Sequence, residues 1–423
     1  MKPTPLFHIG ASLLAAAPAT DSSAQREQRL AWFRHDKFGM FIHWGLYAIP
    51  AGHWNGTRAP GNGEWIMQRL RVPSRDYARL ATQFNPVKFD ADAWAQLAAD
   101  AGMKYVVLTT KHHDGFSLFK STATKFSTAD ATPLGRDVVR ELAGACARRG
   151  LRFGAYYSQS LDSHERGGLG NDWDFPPDET KDRDGSFDRY LREKAEPQVR
   201  ELLTNYGPLG MVWFDMATLV DKNDRAARLS SLVRTLQPAA LVNGRTGASG
   251  DYRTAGDNAI PPTASADAWE VPVTINHTWG FRSDDHGWKS PGELVFTLVD
   301  TVSKGGNLLL NVGPAAEGVI PPPSQDALRT IGAWLRDWRC TTRPGRLYFT
   351  IFKTDRDGDD AYFVLPAFKN NILSVHEMDR GKLTPFALKT LPDGRRYFMP
   401  PRWVDDSLGT VYVIEIEGDT IVR

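Results

Sequence analysis

The chain of 423 residues has very little cysteine: only Cys146 and Cys340. That count excludes a disulfide framework and a cysteine-rich zinc site. Cys146 lies in a helix-like stretch, 137–149, and reads as a buried free thiol. An excess of charge of either sign is also missing. Lys and Arg total 51 against 50 Asp and Glu, for a net charge of +1. Nothing in that balance favours nucleic acid or an anionic membrane as partner. No internal run approaches the roughly 18 apolar residues that cross a bilayer, so a soluble protein with no membrane partner is expected. Low-complexity segments are absent, and 41% apolar with 24% charged residues is an ordinary globular composition. At the N-terminus, Lys2 precedes the apolar stretch 6–17, and Ala17-Pro-Ala19 offers small residues for cleavage. Residues 1–24 therefore read as an export leader, which points to the periplasm or to secretion.

Aromatics are plentiful: 13 Trp, 12 Tyr and 21 Phe. Such a surplus supplies core bulk or the apolar platforms on which sugar rings stack. From residue 85 onward a helical stretch ends at glycine or proline and an apolar run follows, four times over. Helical stretches at 92–101, 137–149, 187–206 and 226–236 lead into runs at 104–110, 151–157, 211–214 and 240–242. Further runs lie at 37–43, 271–275 and 307–311. Strands that read as continuous apolar runs are buried on both faces, and their alternation with helices predicts a parallel sheet. The expected fold is a (β/α)8-like barrel over 25–343. A doubly wound open sheet competes, but no Gly-x-Gly-x-x-Gly turn follows the first strand. After Arg343-Pro-Gly345 come short strands near 347–352, 361–365, 372–375 and 410–416, separated by turns such as Asp357-Gly358 and Asp393-Gly394. Residues 344–423 read as an antiparallel β-sandwich.

In a parallel barrel the chemistry lies at the C-terminal ends of the strands. The residues found there are His43-Trp44-Gly45, Lys111-His112-His113-Asp114, Tyr156-Tyr157-Ser158, Trp213-Phe214-Asp215, Asn243-Gly244-Arg245 and Asn276-His277-Thr278-Trp279. Histidines so placed suit the hydroxyls of a neutral polar ligand. A metal site is disfavoured, because the first strand lacks His-x-His and no lysine is placed to bridge two metals. His112 and His113 should also point to opposite sides if their strand continues. Asp215 ends a strongly apolar run, where a carboxylate is expensive unless paired or used. It is a candidate nucleophile or base, with Trp213 beside it and Arg245 as a partner. Glycosidases use two carboxylates. Candidates for the second are Asp257, in Asp251-Tyr-Arg-Thr-Ala-Gly-Asp-Asn258, and Glu270, with Glu64-Trp65 as a third carboxylate–aromatic pair.

Four blocks in order resemble the retaining α-L-fucosidases of glycoside hydrolase family 29. They are Phe38-Gly-Met-Phe-Ile-His-Trp-Gly-Leu-Tyr47, Thr110-Lys-His-His-Asp-Gly-Phe116, Trp213-Phe-Asp215 and Ser303-Lys-Gly-Gly-Asn-Leu-Leu-Leu-Asn-Val-Gly-Pro314. The resemblance runs from about Trp32 to Arg343 and more weakly beyond. It implies a barrel followed by a sandwich, no metal or other cofactor, and removal of terminal α-L-fucose from a fucosylated oligosaccharide or polysaccharide with retention. By motif, Asp215 matches the nucleophile. His43, His112, His113, Tyr156 and Arg245 match fucose-binding positions, and Glu64, Trp65 and Trp213 match the pocket lining. The acid/base falls in a variable loop, which leaves Asp257, favoured, and Glu270 as candidates. Two other functions compete: a fucose-binding lectin without turnover, and a metal-dependent barrel hydrolase. Linkage, aglycone, hydrolysis versus transfucosylation and a homo-oligomeric state are all left open. Trp173 and Phe175 are expected to wall the leaving-group side.

Overall fold

A computed structural model of the chain describes residues 22–175 and 183–337, and beyond these 345–351, 363–364, 370–379, 382–392, 394, 396–399 and 410–418. The expected leader up to residue 21, Cys340, the boundary near 343 and the Asp357-Gly358 turn lie outside the described residues.

Eight strands form one sheet: β1 (Phe38–Ile42), β2 (Tyr105–Lys111), β3 (Arg152–Ser158), β4 (Met211–Asp215), β5 (Leu241–Val242), β6 (Arg253–Thr254), β7 (Trp269–Thr274) and β8 (Asn307–Val312). Their order is β5-β4-β3-β2-β1-β8-β7-β6, and every pairing is parallel. A single parallel bridge between Asn243 and Tyr252 joins the two edge strands and closes the barrel. Strand β6 was not legible in the sequence, since two residues, Arg253 and Thr254, carry no apolar run.

The helices start where the sequence supplies caps. Asp90 accepts from the Ala93 amide and Asp137 from the Arg140 amide, and Ser290 forms a reciprocal capping box with Glu293. They stop where glycine takes a left-handed conformation, as at Gly102 (φ 82°) and Gly150 (φ 66°). The stretch read as one helix over 187–206 is Arg183–Tyr190, a π-turn at Leu191–Ala195 and Glu196–Asn205.

Side chains alternate across the sheet. Met40, Ile42, Val106, Leu108, Val212, Phe214, Leu308 and Leu310 pack outward against the helices. Phe41, Tyr105, Val107, Tyr156, Met211, Trp213 and Leu309 point inward and fill the barrel. Helix α1 (Ser23–Asp36) adds Leu30 and Phe33 to that inner column, with the Phe33 ring 4.4 Å from Tyr252. The same helix grips the closure. Arg29 Nη2 lies 2.8 Å from Asp251 Oδ1, Arg26 donates to the Asp251 carbonyl, and Arg234 and the Val242 amide donate to Asp251 Oδ2. Asp251 is buried, so its removal takes a buried carboxylate from two arginines and from the Val242 amide. Asp251→Ala is expected to lower stability by about 3–5 kcal/mol, read as a fall in the urea midpoint with little change in slope.

In the C-terminal part, Arg346–Ile351, Thr410–Ile416, Ile372–Asp379 and Lys382–Phe386 form one antiparallel sheet. Phe363–Val364, Arg396–Phe398 and Lys389–Thr390 form a second. Val375, Tyr412, Ile414 and Ile416 from the first sheet pack with Phe398 from the second, as expected of a β-sandwich.

Candidate active site

The inward column continues past the C-terminal strand ends into a pocket with about 470 Å³ of empty space. It is lined by most of the residues the sequence singled out. On β1 the inward position after Phe41 is His43. Its Nδ1 lies 2.6 Å from Asn311 Oδ1. The Asn311 amide nitrogen donates to the Trp279 carbonyl at 2.8 Å, so its oxygen must accept from His43 Nδ1–H. Nε2 of His43 is thereby left as an acceptor for a ligand hydroxyl.

His112 and His113 both line the pocket, since the strand whose continuation would point them apart ends at Lys111. The pairing of β2 with β3 shifts register between Thr109 and Lys111, and the strand ends there. Such an irregularity re-aims the side chains that follow. The two rings lie 3.9 Å apart, and His112 stacks on Tyr156 at 5.5 Å and 14°. Nδ1 of His113 is 2.7 Å from Ser158 Oγ. Burial depresses all three histidines, His43 and His113 to about 3 and His112 well below its ordinary value. They are therefore neutral at physiological pH. For His43, the unfolded chain takes up a proton below 6.5 that the folded chain refuses until about 3. This group's contribution to stability is present above 6.5 and is lost as pH falls. His43→Gln is expected to gain on the wild type in urea midpoint as pH drops from about 7 to about 4.5.

Asp215 occupies the inward position above Trp213 on β4. Tyr156 Oη donates to its Oδ2 at 2.9 Å, and Arg245 Nη1 lies 3.2 Å from Oδ1. His113 Nε2 is 3.7 Å from Oδ2. The next residue, Met216, takes a left-handed conformation (φ 68°) and returns its amide to Oδ1 at 3.0 Å. Arg245, just past β5, bridges two carboxylates, because its Nη2 also donates to Asp257. The Arg245 guanidinium lies 4.9 Å from the centre of the Trp213 ring.

The three remaining carboxylate candidates differ sharply. Asp257 sits on the pocket lip with its side chain 46% exposed. Glu64, in the turn Gly63–Trp65, is buried in the pocket wall. Its Oε2 accepts from the Gly280 amide at 2.8 Å, while Oε1 has no hydrogen-bond partner among the described residues. Burial raises the Glu64 carboxyl to about 7. Glu270 does not reach the pocket, which corrects its candidacy as acid/base. It stands near the start of β7, one inward layer below Pro272, and is held by Tyr105, Trp213 and Tyr252.

Trp65 lines the pocket, its ring 4.6 Å from that of His113. Phe41, Pro272 and Trp279 add apolar wall, and Asn62 and Met216 complete the lining. Trp279 is among the residues read after a strand; Phe41 could have been found from its parity with His43, and Pro272 from its parity with Glu270. Trp173 and Phe175 do not line the pocket, contrary to expectation. The Trp173 indole donates to the Val72 carbonyl, and Arg166 lies over the Phe175 ring. His277 is tied to Asp285 outside the pocket. Among the described residues no three His, Cys, Asp or Glu side chains gather as metal ligands.

Comparison with known proteins agrees with this geometry. A family model described as alpha-L-fucosidase matches residues 13–338. The tissue alpha-L-fucosidase of Bos taurus is 32% identical over 353 residues, 76% of this chain and 72% of that protein. The crystal structure of an alpha-L-fucosidase from Vibrio sp. strain EJY3 superposes with a TM-score of 0.82 at 33% identity, over 94% of this chain and 74% of that one. An alpha-L-fucosidase from Lactobacillus casei, solved with its α-L-fucose product, gives 0.69 at 38% identity, over 73% and 98%.

Proposed function

Since the chain belongs to the α-L-fucosidase family, we propose that it removes terminal α-L-fucose from glycans by double displacement with retention. It is a glycoside hydrolase that releases fucose. One observation carries the mechanistic reading: a carboxylate, Asp215, stands at the floor of a pocket among neutral histidines, oriented by Tyr156 and Arg245.

Asp215 attacks the anomeric carbon, forming a covalent fucosyl-enzyme as the glycosidic bond breaks. His43, His112, His113 and Glu64 take the ring hydroxyls. Phe41, Pro272 and Trp279 offer apolar surface to the fucose methyl. Asp257 protonates the departing oxygen and later takes the proton of the attacking water. Its place on the lip suits this role, because the aglycone must leave through the mouth. Asp257 is tied to Arg245, and that tie must yield to the glycosidic oxygen. One guanidinium bridging both carboxylates keeps them close, as a retaining pair requires.

A second reading of the proton donor has a specific observation behind it. Glu64 is the pocket carboxyl that burial holds near neutrality, a property suited to a general acid. The mechanism is tested by following 4-nitrophenyl α-L-fucoside by proton NMR. Retention requires α-fucose to appear first, with the β-anomer growing in by mutarotation. The β-anomer appearing first would sink double displacement.

A further inference from the structure

Glu270 is fully buried in the barrel interior. Its partners Tyr105, Trp213 and Tyr252 belong to the apolar inner column that also holds Met211, Leu241 and Leu309. A carboxyl in such surroundings is expensive, and a well-packed apolar side chain of similar size is often at least as stabilising. Three donors converge on it. Tyr105 Oη reaches Oε1 at 2.8 Å, and Trp213 Nε1 and Tyr252 Oη reach Oε2 at 2.8 and 3.3 Å.

The bond to Trp213 is the one that leads toward the site. Indole has a single N–H, so this contact fixes the rotation of the ring within its plane of packing. Tyr156 stacks on that ring at 5.6 Å and 19°, and the Arg245 guanidinium lies 4.9 Å from its centre. Tyr156 and Arg245 are the two side chains that donate to Asp215. A chain of contacts thus runs from Glu270 through one indole to both side chains that orient the carboxylate. Tyr105 and Tyr252 hold Glu270 from the far side and touch none of the groups lining the pocket through hydrogen bonds.

We propose that Glu270 is a positioning residue: by anchoring the Trp213 indole it fixes the surface on which Tyr156 and Arg245 rest, and so aims Asp215 at the anomeric carbon. This rests on the reading of Asp215 as nucleophile.

The test compares variants on 4-nitrophenyl α-L-fucoside, with rates normalised to the folded fraction by near-UV circular dichroism. Glu270→Met removes the acceptor at similar volume. It is expected to lower kcat by about 100-fold with KM changed less than about threefold, the signature of a misplaced reacting group. Glu270→Gln keeps an oxygen for the indole and should restore kcat to within about threefold of wild type. In a Trp213→Phe background the Glu270→Met change should add nothing, because the link is already cut. Should Glu270→Met fail to fold, Glu270→Asp withdraws the acceptor while keeping the carboxyl, and a fall in kcat is again expected. Tyr105→Phe, which removes a donor but leaves the indole bond, should keep kcat near wild type. The inference is overturned if Glu270→Met or Glu270→Asp loses melting temperature but not normalised kcat. It is equally overturned if its loss multiplies with that of Trp213→Phe, or if Tyr105→Phe is as damaging. A wild type with no fucoside turnover would instead overturn the functional reading beneath it.

Discussion

Asp215→Ala is expected to abolish turnover of 4-nitrophenyl α-L-fucoside, with kcat falling by about 10⁴-fold or more. The alanine leaves Tyr156, Arg245 and His113 without the carboxylate they surround, and it leaves open space facing the anomeric carbon. Azide fits that space and attacks from the face the carboxylate held. Rescue should therefore give β-fucosyl azide, an inverted product. The stereochemistry is the sharper part of the result, since a merely unfolded variant gives no azide adduct. Residual activity within tenfold of wild type would remove Asp215 from the mechanism.

Asp257→Ala separates the two readings of the proton donor. If Asp257 protonates the leaving oxygen, its loss changes kcat/KM little for the 4-nitrophenyl fucoside, whose phenolate departs without help, but lowers kcat because the water that frees the fucosyl-enzyme has lost its base. The same loss should cost about 10²–10⁴-fold on unactivated fucosides. Azide then replaces the missing base-activated water and yields α-fucosyl azide, with retention. Glu64→Gln should lower kcat/KM on both substrates alike, because a side chain that grips a ring hydroxyl does not sense the leaving group. The opposite pattern, selective loss in Glu64→Gln and uniform loss in Asp257→Ala, would assign the proton to Glu64. The structural difference behind the expectation is position. Asp257 stands on the exposed lip of the pocket, whereas Glu64 is pinned in the wall by the Gly280 amide.

Much of this was legible in the sequence, for identifiable reasons. The run Met211-Val-Trp-Phe214 could only be a buried strand, so a carboxylate directly after it had to lie at the rim. The same logic placed His43, Tyr156 and Arg245. Inward and outward alternation was readable too, and applied to β7 it puts Glu270 and Pro272 on one face, two residues apart. What was not readable is height. A strand's length and start are decided by pairing with its neighbours, and those contacts are remote in sequence. Glu270 thus looked like a site residue although its layer lies beneath the pocket floor. That both paired histidines face the pocket was hidden for a related reason, since the register shift before Lys111 is a property of β2 against β3. Trp173 looked like an aglycone wall because a loop aromatic carries no mark of the carbonyl, that of Val72, to which its indole turns.

The barrel is not equally stiff around its circumference. Strands β1 to β4 run five to seven residues each; they hold Tyr156 and Asp215 and lead directly into His43 and the His112–His113 pair. Strands β5 and β6 have two residues each and meet through one bridge, pinned at the lower end by Asp251. Arg245 and Asp257 lie beyond the upper end of that seam. Local opening follows the density of backbone pairing, so amides over 243–257 should exchange with solvent deuterium well before those of β1 to β4. Selection of the fucose ring then belongs to a rigid arc, and accommodation of different leaving groups to a compliant one. Variation along the seam that spares Arg245 can retune the glycan that is accepted without disturbing the sugar that is removed.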